Sequence, residues 1–341
     1  MPINPIVNYQ QALSMALEDR SRGYEDLVSN SSPLFALLRS KGLMKSYSGP
    51  RIRQTLQIAK PDGQWYSGYD FLANPPIELF NDAYFTPKMV VVPISITMEE
   101  ILNNEGSNQI MDVMESYMDV AERSLVDVMD TAVYGDGTAN NGKQLGGLGV
   151  AVPIVTNVGT YGGIDRSAYP LWRTTTYDAN SAFPTIGTQV NSTTIRQILT
   201  EIFIRRTRGR QGADLLIMSP EHFRAYDAAT VAIQRLSSEK PGTLGRMGFP
   251  TLQYAGAGRT VEIVQEGGIG SNMPANTTFG LDTSTMRLRF NKARNFDKLF
   301  PGDGLMPINQ DAIGQFIGWM GELTQTNPLF NWRMYDSNPN A

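Results

Sequence analysis

The apolar positions change their period several times along the chain, and each change marks an element. Ser32 suits a helix cap, Pro33 a first helical position and Gly42 a helix end, and Leu34, Leu37 and Leu38 share one face between them. A helix this short cannot bury that face alone, so it is expected to dock elsewhere. From Arg51 the period falls to two. Ile52, Leu56 and Ile58 alternate with Arg51, Arg53, Thr55 and Gln57, and beyond Pro61, Asp62 and Gly63 the aromatic residues Trp65, Tyr69 and Phe71 again share a face. This predicts a β-hairpin over residues 51–71 with its tip at Pro61–Gly63. A third extended run, Phe85–Thr97, is β-branched and holds Pro87 and Pro93, which sheet edges and bulges tolerate. An arm of about 15 such residues would reach ~50 Å, too far for a compact domain to cover. An ordinary two- or three-stranded sheet is the other reading of the same pattern.

The longest periodic segment follows. Ile110, Val113, Met114, Tyr117, Ala121, Leu125, Val128, Met129 and Ala132 recur at three- and four-residue spacing, while Asp112, Glu115, Asp119, Glu122 and Asp127 lie largely elsewhere. A helix from about Asn108 to Tyr134 would be ~40 Å long, with Gly135 placed to end it. Such a helix is a spine, and its apolar stripe is expected to pack on the late strands. A Gly-rich and then irregular stretch leads to a second helix, which uses Ile195, Ile198, Leu199, Ile202 and Phe203 and ends near Gly209. Asp214–Met218 reads as a short buried strand, and Ser219-Pro220 opens a third helix running to about Leu236. Strands are expected at Thr260–Val264, Met286–Phe290 and over Gln315–Trp332. Helices in the middle and strands late indicate an α+β architecture. There is no internal repeat and no linker that would separate independent domains.

Composition narrows the function. At 341 residues the chain suggests about two compact units and a sizeable core without disulfide or metal staples. Only 18% of residues are charged, below the ~25% of ordinary soluble proteins, as expected of a chain buried among copies of itself. Lys and Arg number 29 against 33 Asp and Glu, so a general nucleic-acid coating role lacks its electrostatic footprint. There is no Cys and one His, which excludes Cys-rich zinc sites, His pairs, thiolate nucleophiles and disulfide frameworks. Met1–Met15 has no basic segment followed by an apolar run, so no secretory signal is expected. The most apolar piece, Met89–Ile96, is broken by Pro93, and no apolar run approaches the ~20 residues of a membrane span.

Chemical motifs are few. Gly137–Gln144 nearly spells a phosphate-binding GxxxxGK[ST] loop, but Gln144 replaces the hydroxyl, and the segment follows a helix instead of opening one. A structural turn is the expected reading. His222 is the sole histidine available to a Ser-His-Asp arrangement, and its place in the first turn of a helix points to a surface or capping residue. The neighbouring Glu99 and Glu100 give no sign of facing each other across a glycosidic bond. Arg205, Arg206, Arg208 and Arg210 form one basic cluster. Near a helix C-terminus such a cluster complements the dipole and pairs with neighbouring subunits, and the alternative is contact with nucleic-acid phosphates.

The order of these pieces resembles a known family. A docking arm, a long hairpin returning through Val90–Thr97, a spine ending in Tyr134–Thr138, then Gly146-Gly147-Leu148 and the segment Gly162–Arg173, is similar to the major capsid proteins of tailed bacteriophages with the Hong Kong 97-type fold. The resemblance spans nearly the whole chain. It implies an N-terminal arm at 1–48, an extended loop at 49–97, a peripheral domain at 98–149 and 291–341, and an axial domain at 150–290. It further implies a non-enzymatic, virion-borne shell protein, assembled in the host cytoplasm as pentamers and hexamers around the packaged genome, with DNA touched non-specifically at most. Intersubunit contacts are then expected at Pro61, Asp62, Gly63, Trp65, Tyr69, Arg205 and Arg206. No cofactor, metal or membrane is implied. The partners implied are the chain itself, a portal, a decoration protein and scaffolding; because the arm starts within a few residues of Met1, either scaffolding is a separate protein or the chain is already trimmed, and the initiating Met favours the former. Some relatives carry Lys–Asn cross-links; Lys60 is the sole donor near the hairpin tip, its partner and the catalytic Glu have no match, and that activity is not carried over. A cellular nanocompartment shell of the same fold and a soluble mixed-fold enzyme are the two alternatives.

Overall fold

The computed structural model describes residues 33–57, 59, 63–72, 76–99, 107–234, 251–267, 273–299 and 311–339. Its first helix, α1 (Pro33–Ser40), ends at Gly42, whose φ of +64° lies in the left-handed region that glycine adopts without strain. Leu34, Phe35, Leu37 and Leu38 are all buried in the core of the same chain. The strand β1 (Met44–Tyr47) then runs parallel to β12 (Met286–Lys298) and forms one edge of a four-stranded sheet. Lys41, between helix and strand, donates to Asp214 and to Thr283 Oγ1 at 2.6 Å, which fastens this segment to the α/β half of the molecule.

The strand order in that sheet is β1, β12, β13 (Ala312–Gln325) and β4 (Lys88–Thr97). β13 pairs antiparallel with β4 from Ala312 opposite Thr97 to Gly321 opposite Lys88. The β4 alternation is explicit: Val92, Ile94 and Ile96 are buried, and Val91, Pro93, Ser95 and Thr97 are exposed. The buried face receives the spine α2 (Ser107–Tyr134), 28 residues or ~42 Å at 1.5 Å per residue. Met118, Ala121, Leu125, Met129 and Ala132 form its inward stripe. The spine therefore packs on the sheet that holds the late strands β12 and β13, most closely against β4. Val128 departs from the expected stripe: it is 44% exposed, because it lies on the flank of the helix beside the line through Leu125 and Met129. The side chains of Ile110, Val113 and Met114 lie outside the described ones.

The second sheet has the order β7 (Thr175–Asp178), β14 (Trp332–Tyr335), β11 (Thr277–Leu281), β8 (Leu215–Met218), β10 (Arg259–Gln265) and β9 (Thr251–Gly256). Helices α3 (Ile195–Arg206) and α4 (Pro220–Gln234) pack on one face of it. The strand β8 is buried on both sides: Leu216 and Met218 join the core beneath these helices, and Leu215 and Ile217 join the core of the spine. The continuous apolar run 215–218 is what a central, doubly covered strand requires. Gly280 in β11 lies under the Trp332 ring, where an added Cβ would come within 2.1 Å of its atoms. The stretch Gln315–Trp332 is broken by a 3₁₀ turn at Pro328–Phe330, which sends β14 into the second sheet.

The hairpin differs from the sequence pattern. Strand β2 (Ile52–Gln57) pairs with β3 (Phe80–Phe85), Ile52 opposite Phe85 and Gln57 opposite Phe80, and not with Trp65–Phe71. The inward residues Ile52 and Leu56 need apolar neighbours on the same face, and Ala83 and Phe85 supply them. Arg53 and Thr55 both bond the Asp82 carboxylate, at 2.6 and 2.7 Å, and fix the register. The run expected as one strand from Phe85 to Thr97 is interrupted at Thr86-Pro87, where the chain leaves the hairpin for the four-stranded sheet.

Candidate intersubunit surfaces

The hairpin is anchored at its base and bare at its tip. A two-stranded turn, β5 (Thr160–Tyr161) and β6 (Ile164–Asp165), holds the base: Tyr84 N donates to Gly162 O at 2.9 Å, and the Phe85 ring meets Tyr161 edge-on at 5.1 Å. Tyr161 stacks on Trp172, whose indole N–H donates back to Tyr161 O at 2.9 Å. Gly162, at φ +58°, leaves room for Phe85, whose ring carbon would lie 2.8 Å from an added Cβ. The Gly162–Arg173 segment thus serves as the socket of the hairpin. The inward face of the hairpin, expected to stay uncovered in the isolated subunit, is already buried within it at Ile52 and Leu56.

The other end has no such cover. Trp65 and Tyr69 are fully exposed, Phe71 is 93% exposed, and Tyr66, Leu72 and Phe80 are exposed as well. Gly68, with φ +53°, and the bond from Ser67 N to Asp70 Oδ2 at 2.8 Å shape a turn that points these rings outward. Large aromatic side chains in one segment, uncovered by their own chain, are the mark of an interaction site. Gly63 belongs to this exposed segment. Ile58, Lys60, Pro61 and Asp62 lie outside the described residues, as does Glu100.

Arg205 and Arg206 close α3 and are engaged inside the chain. Arg205 Nε donates to Glu201 Oε1 at 2.8 Å and its guanidinium lies over Phe183; Arg206 Nε donates to the Tyr177 hydroxyl at 2.8 Å. Arg205 keeps an exposed flank, and Arg208 and Arg210 are exposed beyond it. Of this cluster Arg208 reaches the hairpin, lining one cleft with Leu56, Gln57 and Ala59.

Two features escaped the sequence reading. One is a groove of about 420 Å³ between the start of β4, the last turns of the spine and Lys143–Leu145, with Met89, Val91 and Val128 exposed along it. For Met89 and Val91 the signal was present as the odd positions of the β4 alternation. The other is a basic strip on β1 and β12: Lys45 stands opposite Arg289, Arg287 precedes it on the same face, and Lys292 and Arg294 follow in a bulge. None of the five pairs with a carboxylate among the described residues. Forming this strip requires strands more than 200 residues apart in sequence to lie side by side.

The motifs weighed for chemistry take structural places. Gly137–Gln144 is the turn that follows the spine, with Asn140, Asn141 and Gly142 in the left-handed region and Lys88 Nζ donating to Gly142 O. His222 is not a surface or capping residue as expected: it is 2% exposed, and its Nδ1 bonds Thr278 Oγ1 at 2.8 Å. The residue is drawn inward because the start of α4 is bonded to β11, with Ser219 N donating to Thr277 O at 2.9 Å. Burial pushes its pKa down to about 4, against the opposing pull of Asp336 and Glu221. A folded value below the ordinary 6.5 means that this histidine contributes stability above that pH and loses it as pH falls towards about 4. The contribution is about 3 kcal/mol, so His222→Gln should reduce the drop in unfolding midpoint between pH 7 and pH 4.5, read by circular dichroism. Among the described residues no group of His, Asp and Glu could hold a metal ion, and no helix is long and apolar enough to cross a membrane.

No family model matches the chain, and no curated protein matches it in sequence. Solved structures do match in shape. The chain from the cyanophage A-1(L) capsid asymmetric unit is 16% identical, with 87% of this chain and 92% of that chain covered and a TM-score of 0.60. The capsid of Myoviridae phage XM1 is 11% identical over 88% of this chain and 92% of that one, at 0.51. The holo-SrpI encapsulin complex from Synechococcus elongatus PCC 7942, 9% identical over 89% and 87%, reaches 0.46, too dissimilar to bear on the fold. The α+β capsid fold expected from the order of the elements is the fold of this chain.

Proposed function

We propose that the chain is a phage major capsid protein that assembles with itself, as pentamers and hexamers, into the icosahedral shell around a packaged genome. The observation that carries this reading is the hairpin tip: in a chain with a capsid fold, Trp65, Tyr69 and Phe71 stand in solvent while the hairpin base is fixed to the body. Rings held out in this way await a second copy. Gly63, Trp65 and Tyr69, with Pro61 and Asp62 beside them, are assigned to that contact, and the free flank of Arg205 with Arg206 to a second one. The arm is assigned to residues 1–48, the extended loop to 49–97, the peripheral domain to 98–149 with 291–341, and the axial domain to 150–290, with β1 and β4 lending strands to the peripheral sheet and β14 one to the axial sheet. The role is structural, not enzymatic, and the place of action is the virion, formed in the host cytoplasm. A separate scaffolding protein, a portal and a decoration protein complete the partners.

The test is light scattering and negative-stain microscopy of the purified chain, with scaffold supplied where assembly needs it. Closed particles built from pentamers and hexamers are expected. A stable monomer or dimer as the sole species under all assembly conditions would sink the reading, and closed shells loaded with a protein cargo in place of nucleic acid would move it to a nanocompartment.

A further inference from the structure

We propose that Glu322 and Arg289 form a proton-controlled latch, which ties the end of the spine to the four-stranded sheet while Glu322 is neutral and releases it when Glu322 ionises and turns to Arg289. The geometry begins at Gly146. Glu322, 6% exposed on β13, accepts the Gly146 N–H at Oε1 over 2.9 Å, and its Oε2 completes no hydrogen bond. Gly146 belongs to a segment clamped against the last turn of the spine. An added Cβ would lie 2.6 Å from Glu322 Oε1 at Gly146, 2.1 Å from Val133 O at Gly147 and 2.8 Å from Gly135 O at Gly149. Gly149 N also donates to Gly135 O at 3.1 Å. The carboxyl therefore grips, through Gly146, the segment on which the spine terminus rests.

The second position of the latch is set by the sheet. Arg289 on β12 is the direct cross-strand partner of Glu322, so both side chains leave the same face with Cβ atoms ~5 Å apart. Arg289 is half-buried, its Nε is buried without a hydrogen bond, and no carboxylate pairs with it among the described residues. Two complementary orphan atoms thus stand on neighbouring residues, and a side-chain rotation of Glu322 joins them. The charged and titratable groups around the carboxyl are Lys88 from β4 and Tyr161 from β5, with Arg166 over its ring at 5.1 Å; those around Arg289 are Arg287 on β12 and Lys45 opposite it on β1. Burial dominates over Lys88 and the Gly146 N–H and raises the latched carboxyl to about 8. The released carboxyl, paired with a guanidinium, has the ordinary value of 4.5 or lower. The latch is accordingly full below about pH 4.5 and weakens tenfold per pH unit up to about 8, where it levels off.

Hydrogen exchange of the full-length chain, read by mass spectrometry on peptides covering residues 144–150, tests this. A chemically identical free peptide supplies the intrinsic exchange rate. Between pH 5.5 and 7.5 the opening of this segment should grow about 100-fold beyond the intrinsic change. Glu322→Gln should remove that extra dependence. Arg289→Met, which deprives the released carboxylate of its partner, should open about tenfold less than the parent at pH 7.5. Absence of extra pH dependence in the parent overturns the latch even if Glu322→Gln does not fold, and an Arg289→Met chain that opens as the parent does removes Arg289 from it.

Discussion

Replacing Trp65, Tyr69 and Phe71 together by serine should abolish particles and leave the subunit folded. Each aromatic side chain buries ~150–250 Å² when covered, and at ~25 cal/mol per Å² the three would contribute about 11–19 kcal/mol per subunit to a contact that encloses them. Only part of that survives the ordering of the segment and the desolvation of its polar groups, yet a third of it changes an association constant by more than 100-fold. None of the three is covered by its own chain, so the unfolding midpoint of the subunit should move by a degree at most. Sedimentation and negative-stain microscopy read the first effect, and thermal circular dichroism the second. Normal particles would show that the tip carries no contact between subunits; loss of the fold would show that the rings pack inside it.

Leu125→Asp should prevent soluble expression. Leu125 is fully buried on the spine stripe between Ala121 and Met129. The substitution removes a packed side chain and places a carboxylate among apolar ones, each a destabilisation of several kcal/mol and together comparable to the stability of a whole domain. Asp127→Asn, two residues on, alters an exposed side chain and should change the denaturation midpoint little. It should also ease Asp130, whose carboxyl is pushed up to about 6 by burial first and by the Asp127 charge second. Equal behaviour of the two variants in a solubility and denaturation assay would show the helix face to be assigned wrongly.

Long periodic elements were legible in the sequence because one face of each is uniformly buried. The spine, α3 and α4 announce themselves by helical spacing, and 215–218 by an unbroken apolar run. The hairpin was legible only in its first arm. Trp65, Tyr69 and Phe71 alternate as a strand would, but aromatic alternation does not distinguish a face that packs on the chain from one kept for another molecule. Its true partner, Phe80–Phe85, has a polar start in Asn81 and Asp82, and Asp82 is there for Arg53 and Thr55. Among the candidate contacts, exposure at Trp65 and Tyr69 could be anticipated, whereas the engagement of Arg206 with Tyr177 could not, since it joins α3 to a strand 29 residues earlier. His222 shows the same limit: a first-turn position suggests a surface residue, and only the bonding of the start of α4 to β11 draws it inward.

The order of strands in the four-stranded sheet also sets a schedule for folding. β4 has no neighbour within the sheet until β13 arrives more than 200 residues later, and β1 must wait for β12. During synthesis the ribosome must therefore deliver residue 291 before residues 44–47 can pair, and residue 321 before residues 88–97 can complete their ladder. Such non-local pairing is slow, and an open strand edge bearing Met89 and Val91 is prone to join the wrong chain in the interval. Folding yield in the cell should thus depend on how long the nascent chain is shielded, and translation pauses placed after β4 should lower it.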